Sequence, residues 1–166
     1  DIKFKKAYFN RFKNTWHHGD YAEIKMTGGF VIHGRSDTTL NPGGVRMGTA
    51  EIYSEVEKFK EINESLVVGQ SWKNDIRIVL FVVMNKKYAF TEKLSLNLKL
   101  KIRKNISPRH VPSKIIIVND IPRTKSGKIV ELAVKNIIDG NKVKNKEALA
   151  NPEILKYFKN LKELEY

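Results

Sequence analysis

The chain has 166 residues, 41% of them hydrophobic and 30% charged, and carries a net charge of +13. That length allows one domain or two, and the composition excludes a disordered or collagen-like polymer. With no cysteine there is no disulfide, thiolate metal site or cysteine nucleophile, so a reducing, cytoplasmic setting is expected; no run of about 18 apolar residues offers a membrane span and no secretory leader is evident.

Phe4, Tyr8, Phe9 and Phe12 stand at near-helical spacing, which suits a short helix or an extended connector. Tyr21 to Met26 and Phe30 to His33 flank Gly28-Gly29, the signature of a hairpin. Residues 34–48 hold Gly34, Gly43, Gly44, Gly48 and Pro42. They predict a loop whose backbone takes positive φ or approaches something closely. Ile52, Val56 and Phe59 behind Thr49 predict an amphipathic helix with a threonine cap. Strands are predicted over 65–68, 76–83 and 114–118, the second long and apolar enough to be central.

Residues 91–105 carry both an alternating and a helical stripe, but length, Glu92 at the start and basic residues at the end favour a helix. A helix is also predicted over 129–138 with Gly140 as its stop, and a last one from Asn151-Pro152-Glu153 onward. The sum is an α+β fold: a small strand hairpin followed by a compact sheet covered by helices.

The charge is concentrated. Residues 86–146 hold 16 Lys and Arg against 4 Asp and Glu, +12 of the net +13. Such a segment attracts nucleic acid, acidic lipid or a phosphorylated small molecule, or is simply a solvated face. Within it only Tyr88 and Phe90 could stack on bases, so a basic nucleic-acid-binding module is the weaker reading.

Three stretches carry chemistry: Trp16-His17-His18-Gly19-Asp20, then Gly34-Arg35-Ser36-Asp37 through Gly44-Val45-Arg46-Met47-Gly48, and Pro122-Arg123-Thr124-Lys125-Ser126-Gly127-Lys128. The last is no P-loop, since Pro122 and Ile129 stand where that motif needs Gly and Ser/Thr. Nor is the middle one a dinucleotide fingerprint. His17 and His18 have no partner at i+4, so no metal site is assigned.

In this order and spacing the three stretches resemble the C-terminal part of the adenylate-forming acyl-CoA synthetases, over nearly the whole chain. Thr38 to Arg46, Glu131 to Lys135 and the C-terminal extension resemble the acetoacetyl-CoA synthetase branch. The resemblance implies a two-step ligase. Acetoacetate is activated by ATP, with Mg2+, to an acyl-adenylate, and CoA then displaces AMP. An acetyl- or propionyl-CoA synthetase is the alternative within the class.

It also implies that residues 1–36 end a large N-terminal nucleotide-binding domain, that 37–150 form a small mobile domain, and that 151–166 are a C-terminal helical extension. The chain by itself would be folded but inactive; its partners would be its own large domain and the small-molecule substrates, with no nucleic acid or membrane. Carried over residue by residue, Lys128 matches the catalytic lysine of adenylation and Asp37 the hinge. Asp20 and Arg35 match ribose contacts and Arg46 a phosphate contact. Gly44 matches the pantetheine passage and Arg103 a contact to the CoA nucleotide phosphate.

Charge development during attack on an α-phosphate calls for a cation already in place, a role that a lysine on a Ser-Gly loop suits. Each residue also has a plainer reading: a solvated loop lysine, a turn-capping aspartate, structural ion pairs, a turn glycine, a last-turn helix arginine.

Overall fold

In the computed structural model, which describes residues 1–143 and 145–165, the long apolar run becomes the middle strand of a small sheet. Nine regular elements are described: α1 (Ile2–Tyr8), β1 (Asp20–Ile24), β2 (Phe30–Arg35), α2 (Ala50–Val56), β3 (Ile62–Trp72), β4 (Asp75–Met84), α3 (Glu92–Asn105), β5 (Lys114–Ile117) and α4 (Glu131–Ile138). The strands β1 and β2 pair alone as an antiparallel hairpin, while the second sheet has the order β3-β4-β5. Within it β3 and β4 are antiparallel and β4 and β5 parallel, so α3 is the crossover between parallel neighbours.

Period-two alternation splits the sheet's side chains between two cores. Val67, Ile78, Leu80 and Val82 point to one face, against Ile52 and Val56 of α2 and Leu94, Leu98 and Ile102 of α3. Leu66, Val68, Val79 and Phe81 point to the other, against Val134 of α4 and Phe158 and Leu164 of the C-terminal segment. Because both faces are covered, β4 reads as a continuous apolar run rather than an alternating one.

The residues of 91–105 settle as a helix because only every fourth apolar side chain is needed: Leu94, Leu98 and Ile102 are buried, whereas Leu96 and Leu100 are exposed. Thr91 caps it, accepting from the Leu94 N–H at 3.1 Å.

Four local expectations are revised. The strand predicted over 65–68 is the middle of an eleven-residue strand. Its turn, Lys73-Asn74, lacks glycine yet takes φ of +47° and +63° between paired Trp72 and Asp75, the geometry a two-residue hairpin demands. Helix α2 ends at Val56, before Phe59, and Thr49 makes no side-chain cap; its hydroxyl lies over Gly34 instead, 3.2 Å from where a Cβ would stand.

Residues 1–13 form a short helix followed by a turn region, not an extended connector. The helix predicted from Asn151 is a 3-10 turn over Pro152–Phe158 with a second at Lys162–Leu164. It still buries Leu155 and Phe158 as the spacing predicts. Among the described residues, no helix is long and apolar enough to cross a membrane.

One buried polar link ties the two cores together. The Tyr53 hydroxyl donates to Glu131 at 2.5 Å and accepts from the Val67 N–H at 3.0 Å. Burial, then the neighbouring carboxylate, hold the phenol well above its ordinary pKa of 10.0. An unfolded tyrosine would ionise first, so the stabilisation present below pH 10 is lost as pH rises beyond it. Tyr53→Phe should cost about 1–3 kcal/mol at neutral pH by stranding the Val67 N–H. Urea melts in alkaline buffer should then show a shallower loss of stability in the variant than in the parent.

Candidate functional site

The sequence-predicted residues fall into separate groups. The first gathers at the hairpin exit. Arg35, at the end of β2, donates from Nη1 to the His18 carbonyl at 3.0 Å and lies 3.6 Å from Asp20 and 3.5 Å from Asp37. Asp20 Oδ2 also stands 2.5 Å from His18 Nδ1. The Ser36 N–H and hydroxyl both donate to the Gly19 carbonyl, which staples the chain leaving β2 to the chain entering β1. Asp20, Arg35 and Asp37 are thus one connected cluster. Its ion pairs are partly exposed and contribute little to stability, so they can be exchanged for a ligand at small cost.

The second group is the loop of residues 40–47, pinched by a bridge between Leu40 and Met47. Its tip, Pro42–Gly44, is a 3-10 turn in which Gly43 and Gly44 both take positive φ. Asp75 fixes that tip to the β3–β4 turn, accepting from the Gly43 N–H at 2.9 Å. An added Cβ at Gly44 would meet nothing within 4 Å, so within this chain it is the φ of +78° that selects glycine there, not a clash. Arg46 is exposed, and its side chain has no hydrogen-bond or ion-pair partner among the described residues.

The third is the turn that carries Lys128. The Thr124 N–H donates to the Lys128 carbonyl and the Gly127 N–H to the Thr124 carbonyl, both at 2.8 Å. This is a three-residue hairpin with Gly127 at φ +81°, as its bulge requires. Thr124 Oγ1 accepts from the Lys128 N–H, and Arg123 holds the Gly127 carbonyl and pairs with Glu64. The Ser-Gly loop is therefore a tied hairpin, because the threonine and arginine side chains satisfy its backbone and Ser126 bonds the Thr124 hydroxyl. What stays free is the ammonium: Lys128 is exposed, and its side chain has no ion-pair or hydrogen-bond partner among the described residues.

The second and third groups are far apart. Arg123 anchors the Lys128 hairpin at Glu64 and Asp75 anchors Gly43 at the far end of β3–β4. From Glu64 to Trp72, the partner of Asp75, the strand spans about 26 Å. Arg103 lies exposed on the last turn of α3, beside Lys104, and no hydrogen bond or ion pair among the described residues joins it to the other groups.

A seam that sequence reasoning passes over joins the hairpin to the rest of the chain. A Cβ on Gly48 would stand 2.0 Å from the His33 carbonyl oxygen. Glu51 of α2 lies 3.8 Å from His33 Nδ1 and 2.8 Å from Nε2 of the buried His110, while His33 Nε2 faces Glu23 at 3.2 Å. The one signal in the sequence is that Gly48 ends the second motif and Glu51 follows it by three residues; His110 is 59 residues from Glu51 and cannot be paired with it by spacing.

Residues 51–128 match the family described as AMP-binding enzyme C-terminal domain. That segment of the chain belongs to the family. The chain is 60% identical to the acetoacetyl-coenzyme A synthetase of Rhizobium meliloti over 98% of its length, and 48% identical to the acetoacetyl-CoA synthetase of Gallus gallus over the same share. It spans about 25% of the length of each of those relatives.

Among solved structures, the acetoacetyl-CoA synthetase from Streptomyces lividans superposes with a TM-score of 0.85 at 38% identity, covering 95% of this chain and 24% of that one. A benzoate CoA ligase from Burkholderia xenovorans shares the fold, with a TM-score of 0.67 at 24% identity over 81% of this chain and 26% of the other. The α+β architecture inferred from the sequence is therefore that of the C-terminal domain of adenylate-forming ligases.

Proposed function

We propose that the chain is the C-terminal part of an AMP-forming acetoacetate–CoA ligase. The observation that carries this reading is identity to acetoacetyl-CoA synthetases across 98% of the chain, C-terminal extension included. In the first step a carboxylate oxygen of acetoacetate attacks the α-phosphorus of ATP and pyrophosphate leaves. In the second the CoA sulfur attacks the acyl carbon and AMP leaves.

Residues 1–36 would close a large nucleotide-binding domain, 37–150 would be the mobile domain and 151–166 its extension. The exposure of Ile24, Phe30 and Ile32 on the isolated hairpin, 69%, 70% and 55%, supports that division, since contiguous exposed apolar surface marks a docking face. Asp20 and Arg35 would receive the ribose hydroxyls, with Asp37 beside them as the pivot. Lys128 would bring its ammonium to the α-phosphate, and Arg46 would contact a phosphate. In the second step Gly44 would border the pantetheine arm and Arg103 the CoA nucleotide phosphate.

The separation of about 26 Å between the anchors of the Lys128 and Gly44 loops supports serving the two steps with different surfaces. Among the described residues no cluster of three or more carboxylate or imidazole side chains could hold a metal. A Mg2+ entering with ATP would rest on the phosphates and the large domain.

Joined to a large domain, the chain should support AMP release that requires acetoacetate, ATP and CoA together; alone it should release none. Preference for acetate or propionate would overturn the acyl assignment. Steeply salt-dependent duplex binding without CoA affinity would overturn the ligase reading altogether.

A further inference from the structure

We propose that Gly48, His33 and Glu51 form an orientation-specific seam: it holds the mobile domain in the posture for thioester formation and must part for adenylate formation. This rests on the two-posture ligase reading above, and concerns the contact that selects between the postures.

The seam crosses the proposed pivot. His33 and Glu23 lie on the β1–β2 hairpin before Asp37, whereas Gly48, Glu51 and His110 lie after it. No rotation about Asp37 can keep both sides in register. The backbone of Gly48 lies outside the positive-φ region, so its conformation alone would accept alanine. What excludes a side chain is the partner across the pivot, with the His33 carbonyl oxygen at 2.0 Å and His33 Cβ at 2.6 Å from the added atom. Neither is the far end of a flexible side chain, so the clash is relieved only by moving the hairpin.

Glu51 completes the contact: its Oε1 stands 3.8 Å from His33 Nδ1 as a long charge-pairing approach, and its Oε2 lies at hydrogen-bond distance, 2.8 Å, from Nε2 of His110, whose Nδ1 is 2.8 Å from the Ser107 hydroxyl. The buried Thr49 fills the gap over Gly34. This is a fitted surface, not a chance approach of loops.

The posture follows from what faces the hairpin. Gly48 directly follows Met47, which closes the pinched loop carrying Gly44, so the loop assigned to the pantetheine is the one anchored here. Lys128 is on the other side of α2. Glu51 faces His33, whereas Tyr53, about 200° round the helix, faces Glu131, three residues after the lysine. A posture that presents Lys128 to the ribose cluster must lift Glu51 and Gly48 away.

Two measurements test the seam. The first uses the cysteine-free chain with spin labels on Thr27→Cys and Lys104→Cys, one on each side of the pivot. The parent should give one narrow separation; Gly48→Ala and the milder Glu51→Gln should broaden or shift it while far-UV dichroism stays unchanged. The second uses the full-length ligase. Thioester formation from supplied acyl-adenylate should fall about tenfold or more in Gly48→Ala, with pyrophosphate exchange reduced less than about twofold, as a bias between two populated postures requires.

An unchanged label separation in both variants overturns the seam. A changed separation with equal loss of both half-reactions overturns its assignment to the thioester posture. Parent enzyme that forms no adenylate would defeat the ligase reading instead, with the label measurement still deciding the seam.

Discussion

Lys128→Ala in the full-length ligase is expected to slow adenylate formation by about 10²–10³-fold or more, while thioester formation from supplied adenylate proceeds nearly unchanged. Two anions meet when a carboxylate attacks an α-phosphate, and a cation held ready there is stronger than one that water must reorganise to replace. The structure supplies what that role needs: a hairpin fixed by its own hydrogen bonds, and an ammonium that no described residue pairs with. The same freedom predicts that the substitution leaves stability within about 0.5 kcal/mol, since no packing or pairing is lost.

Lys128→Arg should restore little, because a planar fork is a poor stand-in for a compact point charge. Single-turnover assays of each half-reaction decide the matter. Parallel loss of both would remove Lys128 from the first step and leave it a solvated turn lysine.

Phe158→Ala is expected to destabilise the chain by about 3–5 kcal/mol, the cost of removing a large buried ring. Phe158 is fully buried and meets Phe81 of β4 edge-on, at 5.0 Å and 75°. It is also the main apolar anchor of the segment after Asn151, helped by Leu155 and Leu164. The buried Arg77, stacked on Trp72 at 3.6 Å, donates to the Leu164 carbonyl and holds the far end of that segment. For a chain of this size the loss lowers the melting temperature by about 6–20 °C. Amide exchange over 152–164 should quicken more than exchange in β3. A loss below about 1 kcal/mol would mean that the extension is not part of the second core.

What was legible in the sequence was what a single period or a local motif determines. The apolar run at 76–83 needs burial on both faces, and β4 has it; the stripe Leu94, Leu98, Ile102 needs one covered helix face, and α3 has it. The loops around Gly44 and Lys128 were legible as loops because glycine supplies φ that other residues resist.

The rest was set by tertiary partners. Lys73-Asn74 forms a tight turn without glycine because the long ladder on either side enforces it. The C-terminal segment tightens to 3-10 turns while Phe158 and Leu164 settle against the sheet and Leu155 against Ala133 of α4 and Leu149. Thr49 leaves its capping role because the hairpin packs over it. The seam between His33 and Gly48 was invisible for the same reason: it exists only once two distant surfaces are brought together.

The mixed sheet also fixes an order of assembly. Strands β3 and β4 are joined by two residues and can zip on the microsecond scale of a hairpin. Parallel β5 pairs Lys114 with Val79 across a sequence separation of 35 (114 − 79) that includes α3, so the entropy of that closure must be met before any ladder bond forms. Refolding followed by pulsed deuterium labelling should therefore find β3 and β4 protected early and β5 late. The Lys128 hairpin, which follows β5 in the chain and leans on Glu64, would be among the last parts to reach its place.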